Sequence, residues 1–454
     1  MTLEQVEQFS GGRRAAADSA CTVQRVSTDS RTIQPGDLFV ALSGERFDAH
    51  DFIPSVAAAG ASAVLVSRVN PAWGTLPCAV IEVGDTLEGL QCLAREYRRW
   101  LGIPIIGLTG SNGKTSTKDL TSAVLGTTFQ VRATRGNLNN HIGVPLTLCS
   151  MEASDTMGVV EMGMNHAGEI KTLVDIALPD AAIITNVGIA HIENLGSRDA
   201  IGWEKGTLAA NVRSGGVVVL NATDPYTPLI ARHCQADVFT AGIGAGDVSA
   251  RELRAMSNGT EFTLDFAGES VPAFLPVAGE HMVANATLAA CLGWRHGMDP
   301  SRIVEALREV RLTGGRMEVK ERAGIRFIDD SYNANPDSMR AGLSTLASSE
   351  AAGRKVAVLG PMGELGDHSE TGHRGVGELA GSLKLDGVFS VGLGGHAELI
   401  SLSATGAGEA RHFETHEACG AFLRDWLKTG DVVLLKGSRS ARMEKILQSF
   451  DEAS

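Results

Sequence analysis

Short apolar runs recur along the chain, and each of the later ones stops at a cluster of polar residues. "IPIIGLTG", "GVVEMG", "AAIITNVG" and "GGVVVLNATD" read as strands buried on both faces, separated by stretches of helical spacing. Strands alternating with helices predict a largely parallel sheet. Their polar ends, at Thr109, Glu161, Thr185-Asn186 and Asn221, then lie along one edge, because parallel strands present their carboxyl ends to the same side. The pattern repeats at "IRFIDDSYNANPDS", "KVAVLGPMGELG", "GVFSVG" and "DVVLLKGSRS". Upstream, a Pro35-Gly36 turn precedes a strand from Leu38 to Leu42, a helix that Gly60 can cap, and a strand from Ala63 to Val66. The helical "TLEGLQCLAREYRRWL" opens the next unit, so the pattern predicts two sizeable α/β units after a smaller one.

At the first of the central strand ends stands "GLTGSNGKTSTKDL", residues 107–120. Counted back from Gly113-Lys114-Thr115, the pattern G-x-x-x-x-G-K-[ST] asks for glycine where this chain has Leu108. The rest suits phosphate. Gly110, Gly113 and the small Ser111 let backbone N–H groups approach phosphate oxygens, and a helix starting near Lys114 adds the positive end of its dipole. Lys114 is placed to pair with β and γ phosphates, and the Thr115 hydroxyl to ligate Mg²⁺. The competing reading is a glycine-rich turn with a solvated lysine, and the strand before and helix after weigh against it.

Glu161, and His191 in "TNVGIAHIENLGS", are candidates to hold magnesium between phosphates and substrate, against a loop histidine satisfied by backbone. Ser30 and Arg31, in a loop of the first unit, are candidate anion holders or plain solvated surface. A second glycine pattern, "VGLGGHA" at 391–397, follows a strand and has Glu414 about 20 residues on, as in a dinucleotide fingerprint. It carries a nicotinamide-dependent oxidoreductase as the rival reaction class, although 53 glycines make such a short pattern easy to meet by chance.

A formal charge of −13 argues against a general nucleic-acid binder, whose affinity rests on clustered cations. The seven cysteines are scattered without a C-x-x-C pair, which fits reduced thiols rather than disulfides or zinc. No cationic start precedes an apolar core, and no apolar run reaches about 18 residues, so a cytoplasmic protein without membrane insertion is expected, with a monomer as the default. The other histidines show no metal-ligand spacing, and no G-x-S-x-G elbow supports a hydrolytic nucleophile.

Taken together, the clusters resemble the Mur ligase family, ATP-dependent enzymes that build the peptide of bacterial cell-wall precursors. "TGSNGKT" matches the family's shortened phosphate loop, which dispenses with the first glycine and so accounts for Leu108. "DSRTIQPGDLFVALSGERFDAHDF" looks like its uridine-nucleotide-binding domain, and "GNLNNHIGVPLTL", "EMGMNHAGEI", "GEHMVANATLAA" and "GGRMEV" like its ATP-binding domain. "DDSYNANPDSM" and "LGPMGELGDHS" point within the family to the step that joins D-alanyl-D-alanine to UDP-N-acetylmuramoyl-tripeptide. The tripeptide-forming step stays as the alternative, although the Asp-Asn-Pro-Arg motif of its diaminopimelate enzymes is absent here. A nucleotide-binding protein descended from a ligase is the non-enzymatic option.

The resemblance implies an α/β fold of three domains. These are a small N-terminal UDP-substrate domain (1–84), a central P-loop ATPase-like ATP-binding domain with a mostly parallel sheet (85–315), and a C-terminal Rossmann-like ligase domain (316–454). It further implies that Gly110, Ser111, Asn112, Gly113, Lys114, Thr115 and Ser116 cradle the ATP phosphates. Asn285 and Arg316 would contact the adenosine or γ-phosphate side, and Asp330 the ribose. Glu161 and His191 would be magnesium ligands, and Lys205 falls where the family has a lysine carbamylated by CO₂, a further magnesium ligand. Asn137, Asn139 and Asn140 would face the muramyl-peptide, with Asn333, Asn335, Lys436, Ser438 and Arg439 on the substrate side of the C-terminal domain. The implied reaction forms an amide through an acyl phosphate. Three positions depart from the family pattern: Thr207 where an acidic residue follows the lysine, Met282 in "GEHM", and Thr223 in "NATD".

Overall fold

The computed structural model describes residues 1–16, 21–45 and 47–451, so Arg46 of the N-terminal motif lies outside the described residues. Among the described residues three large sheets succeed one another along the chain, with a two-stranded pair, Ser43–Gly44 and Phe47–Asp48, beside the first in sequence. The first has five strands in the order Arg13–Ala16, Ala79–Glu82, Ala63–Val66, Asp37–Val40 and Arg25–Ser27, parallel except for the first. The helix expected after the Pro35-Gly36 turn is Ile53–Ala58, and Gly60, at φ +100°, makes the left-handed turn behind it.

Helix Thr86–Leu101 begins where the Asp85 carboxylate accepts the N–H groups of Leu87 and Glu88, and ends at left-handed Gly102. Its buried Leu90, Leu93, Ala94 and Tyr97 form one stripe at helical spacing. The helix packs both ways. Gly89 leaves little room beside Leu65 and Val83 of the first domain, while the Tyr97 hydroxyl donates to the Met151 carbonyl of the second at 2.8 Å.

The central sheet has nine strands, and strand Ile105–Thr109 sits where its order reverses. On one side lie Met157–Glu161 and then Val131–Ala133; on the other, Ala181–Ile184, Val217–Asn221 and Asp237–Ile243, all parallel. The loop after Ile105–Thr109 therefore opens at a topological switch point, the usual ligand crevice of such sheets. Leu108 is completely buried inside this strand, so a glycine there would leave a hole in the core.

Beyond Asp237–Ile243 the sheet continues through Val248–Met256, Gly259–Phe266 and Glu269–Leu275, the last three joined as an antiparallel meander. The alternating burial of Gly259–Phe266 is the period of a half-buried strand, and "TEFTLDF" carries it openly. Attention to fully apolar runs passes over such strands.

The C-terminal sheet has six strands, parallel except for its first, Glu318–Arg322. Its last strand, Val432–Lys436, inserts between Ile325–Asp330 and Lys355–Leu359, which sets Lys436 level with Asp330 and Leu359. Cys78, Cys92, Cys149, Cys234, Cys291 and Cys419 are free thiols. Among the described residues no helix is long and apolar enough to cross a membrane.

Candidate active site

The phosphate loop leaves its strand at Thr109 and enters helix Lys114–Gly126, with Gly113 at the N-cap in the left-handed region. No side chain caps this helix, so its first-turn N–H groups are free to face a ligand. The loop is held from behind. Asn186 receives the Ser111 N–H on its carbonyl at 2.9 Å and the Asn112 N–H on its side-chain oxygen at 3.0 Å, and its amide donates to the Asn112 carbonyl. Thr185 Oγ1 donates to that same carbonyl, and Ser111 Oγ accepts the Gly188 N–H at 2.8 Å. A Cβ at Gly110 would lie 1.8 Å from Thr185 Oγ1, and one at Gly113 2.7 Å from the Asn285 amide. Both glycines are thus required by close approach as well as by positive φ. Sequence reasoning placed Asn186 at a strand end without giving it a role; the polar pair Thr185-Asn186 was the available signal.

Lys114 folds back so that Nζ donates to the Gly110 carbonyl at 2.8 Å. Burial pushes its pKa below the usual lysine value, and the charges of Glu161 and Glu364 partly restore it. Thr115 and Ser116 are buried behind it.

Glu161 ends strand Met157–Glu161 and is 2% exposed. Asn139 Nδ2 donates to its Oε1 at 2.8 Å, while Oε2 is buried with no hydrogen-bond partner. An unpartnered buried carboxylate oxygen is costly, and a hard cation is one group that satisfies it. Among the described residues no three His, Cys, Asp or Glu side chains converge, so a cation here would draw its remaining oxygens from hydroxyls, phosphates and water, as magnesium normally does. The donor set fits that ion. His191, left-handed at φ +65°, brings Nδ1 to 2.7 Å from Glu364 Oε2 of the C-terminal domain, a close contact rather than a well-angled hydrogen bond.

Lys205 is 1% exposed on helix Arg198–Ala210. Burial first, and the nearby Lys114 charge second, push its pKa well below the usual lysine value, with Glu204 opposing them. The Glu204 carboxylate is itself committed to the N–H groups of Gly168 and Ile170. Asp224, next to the departing Thr223, accepts the Val187 N–H at 2.6 Å and so braces the loop leading to His191.

The C-terminal residues form a second group. Lys436 Nζ donates to Asp330 Oδ2 at 2.5 Å and to the Asn333 carbonyl at 3.1 Å. His281 faces both charges and is pushed down to about 4 by burial; its role was not anticipated from the sequence. The Arg316 guanidinium lies over the Tyr332 ring at 3.8 Å with Nη1 buried and unpartnered. Asn335 joins the two groups, since its Nδ2 donates to Asn112 Oδ1 at 2.8 Å.

Other candidates stand apart. Arg31 is exposed and paired with Asp29, with Ser30 in the same turn of the N-terminal domain. Asn140 caps the turn into helix Gly143–Cys149 through the N–H groups of Ile142 and Gly143, and the Asn137 carbonyl accepts the Asn139 N–H. Ser438 is buried beside Ser440, whereas Arg439 points outward to Glu444.

Residues 108–293 match the Mur ligase middle domain, 315–439 the Mur ligase glutamate ligase domain, and 22–98 the Mur ligase family catalytic domain. The chain is 38% identical over 435 residues to a Bacillus subtilis protein named UDP-N-acetylmuramoyl-tripeptide--D-alanyl-D-alanine ligase, covering 95% of this chain and 94% of that one. A crystal structure of MurF from Acinetobacter baumannii superposes with a TM-score of 0.90 at 33% identity, covering 99% of this chain and 98% of its own. MurF ligase from Thermotoga maritima in complex with ADP superposes at 0.85 with 29% identity, covering 95% and 97%.

Proposed function

The chain belongs to the Mur ligase family, and from that premise we propose the division of labour by which it joins D-alanyl-D-alanine to UDP-N-acetylmuramoyl-tripeptide to give the pentapeptide precursor of peptidoglycan. The observation that carries the reading is the uncapped helix start at Lys114, clamped by Asn186 and near the unpartnered Oε2 of Glu161, with the C-terminal "NANPDSM" segment reaching it through Asn335. ATP would supply the γ-phosphoryl group that turns the tripeptide carboxylate into an acyl phosphate, with ADP leaving and magnesium offsetting the phosphate charge; an acyl phosphate gives up phosphate to an attacking amine far more readily than a carboxylate gives up oxide.

The chain's own residues position the reactants and neutralise charge. First-turn N–H groups and Lys114 receive the phosphates, and Lys114 opposes the negative charge that develops on the transferred group. Thr115 Oγ1 and Glu161 Oε2 are the oxygens assigned to magnesium, with Asn139 fixing the orientation of Glu161. His191 and Lys205 remain candidates beside them. Lys205, with its lowered pKa, spends more time as a neutral amine than an exposed lysine does. Asp330, Arg316 and Asn285 are assigned to the nucleoside and γ-phosphate, and Asn333, Lys436, Ser438 and Arg439 to the reacting ends. Ser30 and Arg31 are assigned to the UDP-sugar. The working arrangement is a cytoplasmic monomer with domain boundaries near 84 and 315.

The test is phosphate release with purified protein, ATP and magnesium. Release is expected only when UDP-tripeptide and D-alanyl-D-alanine are both present. Release that ignores the dipeptide would overturn the assignment, and substituting an amino acid for the dipeptide tests the tripeptide-forming alternative. Running the lysine and diaminopimelate tripeptides in parallel settles the third residue.

A further inference from the structure

We propose that Asn335 is a positioning residue that latches the C-terminal domain onto the phosphate loop, so that nucleotide binding and domain closure reinforce each other. The inference rests on the nucleotide-binding reading of that loop and goes beyond a substrate contact for Asn335. Asn335 is the N-cap of helix Pro336–Ser348: its Oδ1 accepts the Ser338 N–H at 2.9 Å, and its own N–H donates to Ser338 Oγ at 3.0 Å. With one end of the amide committed to the cap, the other has a fixed direction, and Nδ2 meets Asn112 Oδ1 at 2.8 Å across the domain boundary. The residue is 9% exposed, so this bond forms largely out of water.

Two further contacts cross the same boundary. Asp337 Oδ2, in the first turn of that helix, accepts the Ile189 N–H at 3.1 Å, and Glu364 approaches His191. Residues 186–189 are the ones that clamp the phosphate loop from behind through Asn186 and Gly188. The C-terminal helix start therefore grips both the loop and its clamp, and Asn112 is held by its backbone from one domain and by its side chain from the other. A ligand that orders the loop then favours closure, and closure strengthens the hold on that ligand by the same factor. Because Asp330 and Lys436 ride on the closing domain, they reach the reactants when the loop is set.

Asn335→Ser keeps a hydroxyl suited to the helix cap but is too short to reach Asn112. Asn112→Ala removes the other partner. ADP affinity by calorimetry, the KM for D-alanyl-D-alanine at saturating ATP, and small-angle scattering with and without a non-hydrolysable ATP analogue are measured for each variant and for the pair. The latch predicts nucleotide affinity about tenfold weaker in each single variant, no further loss in the double variant, reduced compaction on nucleotide binding, and a dipeptide KM nearly unchanged. Unchanged ADP affinity with a raised dipeptide KM would make Asn335 a substrate contact and overturn the latch, as would additive losses in the double variant. If Asn335→Ser fails to fold, Asn112→Ala alone decides through the scattering response. A wild-type protein that binds no nucleotide overturns the ligase reading instead, so the two failures are distinct.

Discussion

Two glycine-rich loops in this chain each follow a parallel strand and lead into a helix. In the central domain, Gly110 to Lys114 opens a 13-residue helix, and its glycines lie where any Cβ would strike Thr185 or Asn285. In the C-terminal domain, Gly392 to Ala397 follows strand Gly387–Val391 and leads to helix Glu398–Ser403, only six residues long. There Gly394, Gly395 and His396 are all left-handed, Leu393 is 77% exposed, and a Cβ at Gly394 would meet nothing within 4 Å. One set of glycines admits close approach, whereas the other only turns the chain. A glycine spacing becomes a phosphate cradle when neighbouring strand ends pack against it, and the pattern at 391–397 lacks the close contacts of the phosphate loop; the oxidoreductase reading falls to the full-length similarity with D-alanyl-D-alanine-adding ligases.

Lys114→Ala should separate the loops most sharply. Ligase turnover is expected to fall about a thousandfold or more, as when a preorganised charge is removed from a phosphoryl-transfer site, with the melting temperature little changed. Steady-state kinetics with calorimetric melting checks both halves; retained turnover would return this loop to the class of plain turns. Gly113→Ala comes next. The new Cβ must displace the Asn285 amide at a φ of +79°, so ATP KM should rise about a hundredfold and stability drop by about 1–2 kcal/mol.

Asn186→Ala leaves the loop's own residues intact but removes two side-chain hydrogen bonds to Asn112. A rise in ATP KM of about tenfold is expected, with kcat less affected, because the loop loses its support rather than its charge. The smallest effect belongs to the other loop. Gly394→Ala has open space but a φ of +69°, so about 1 kcal/mol of stability should be lost with no change in ligase kinetics. A kinetic defect in Gly394→Ala would mean that this loop takes part in the reaction after all.

Much of the architecture was legible in the chain. The strands at Ile105–Thr109, Ala181–Ile184 and Val432–Lys436 fall within the apolar runs that announce them, and Met157–Glu161 starts one residue before its run, because strands buried on both faces need uninterrupted apolar residues. Helix Thr86–Leu101 and the start of Lys114–Gly126 were equally plain. The antiparallel meander from Val248 to Leu275 does not show as apolar runs, since its strands mix buried and exposed positions; only the alternation of Gly259–Phe266 marks it. In the site, phosphate-loop glycines and Glu161 were readable from residue type at strand ends. The bracing bonds of Asn186 to Asn112 and the contact of Asp337 with Ile189 were not readable, because each joins partners far apart in sequence.

By itself the sequence determined three α/β units, the shortened phosphate loop, and the set of polar strand ends from which a site had to be built. Those are consequences of local periodicity, glycine chemistry and the geometry of parallel strands. Only the tertiary structure decided which of them meet. Inserting Val432–Lys436 beside Ile325–Asp330 pairs Lys436 with Asp330, and the docking of the C-terminal domain puts Asn335 on Asn112 and Glu364 on His191. Contacts between residues more than a hundred positions apart leave no periodic trace, because they are set by strand order and domain packing rather than by neighbours along the chain.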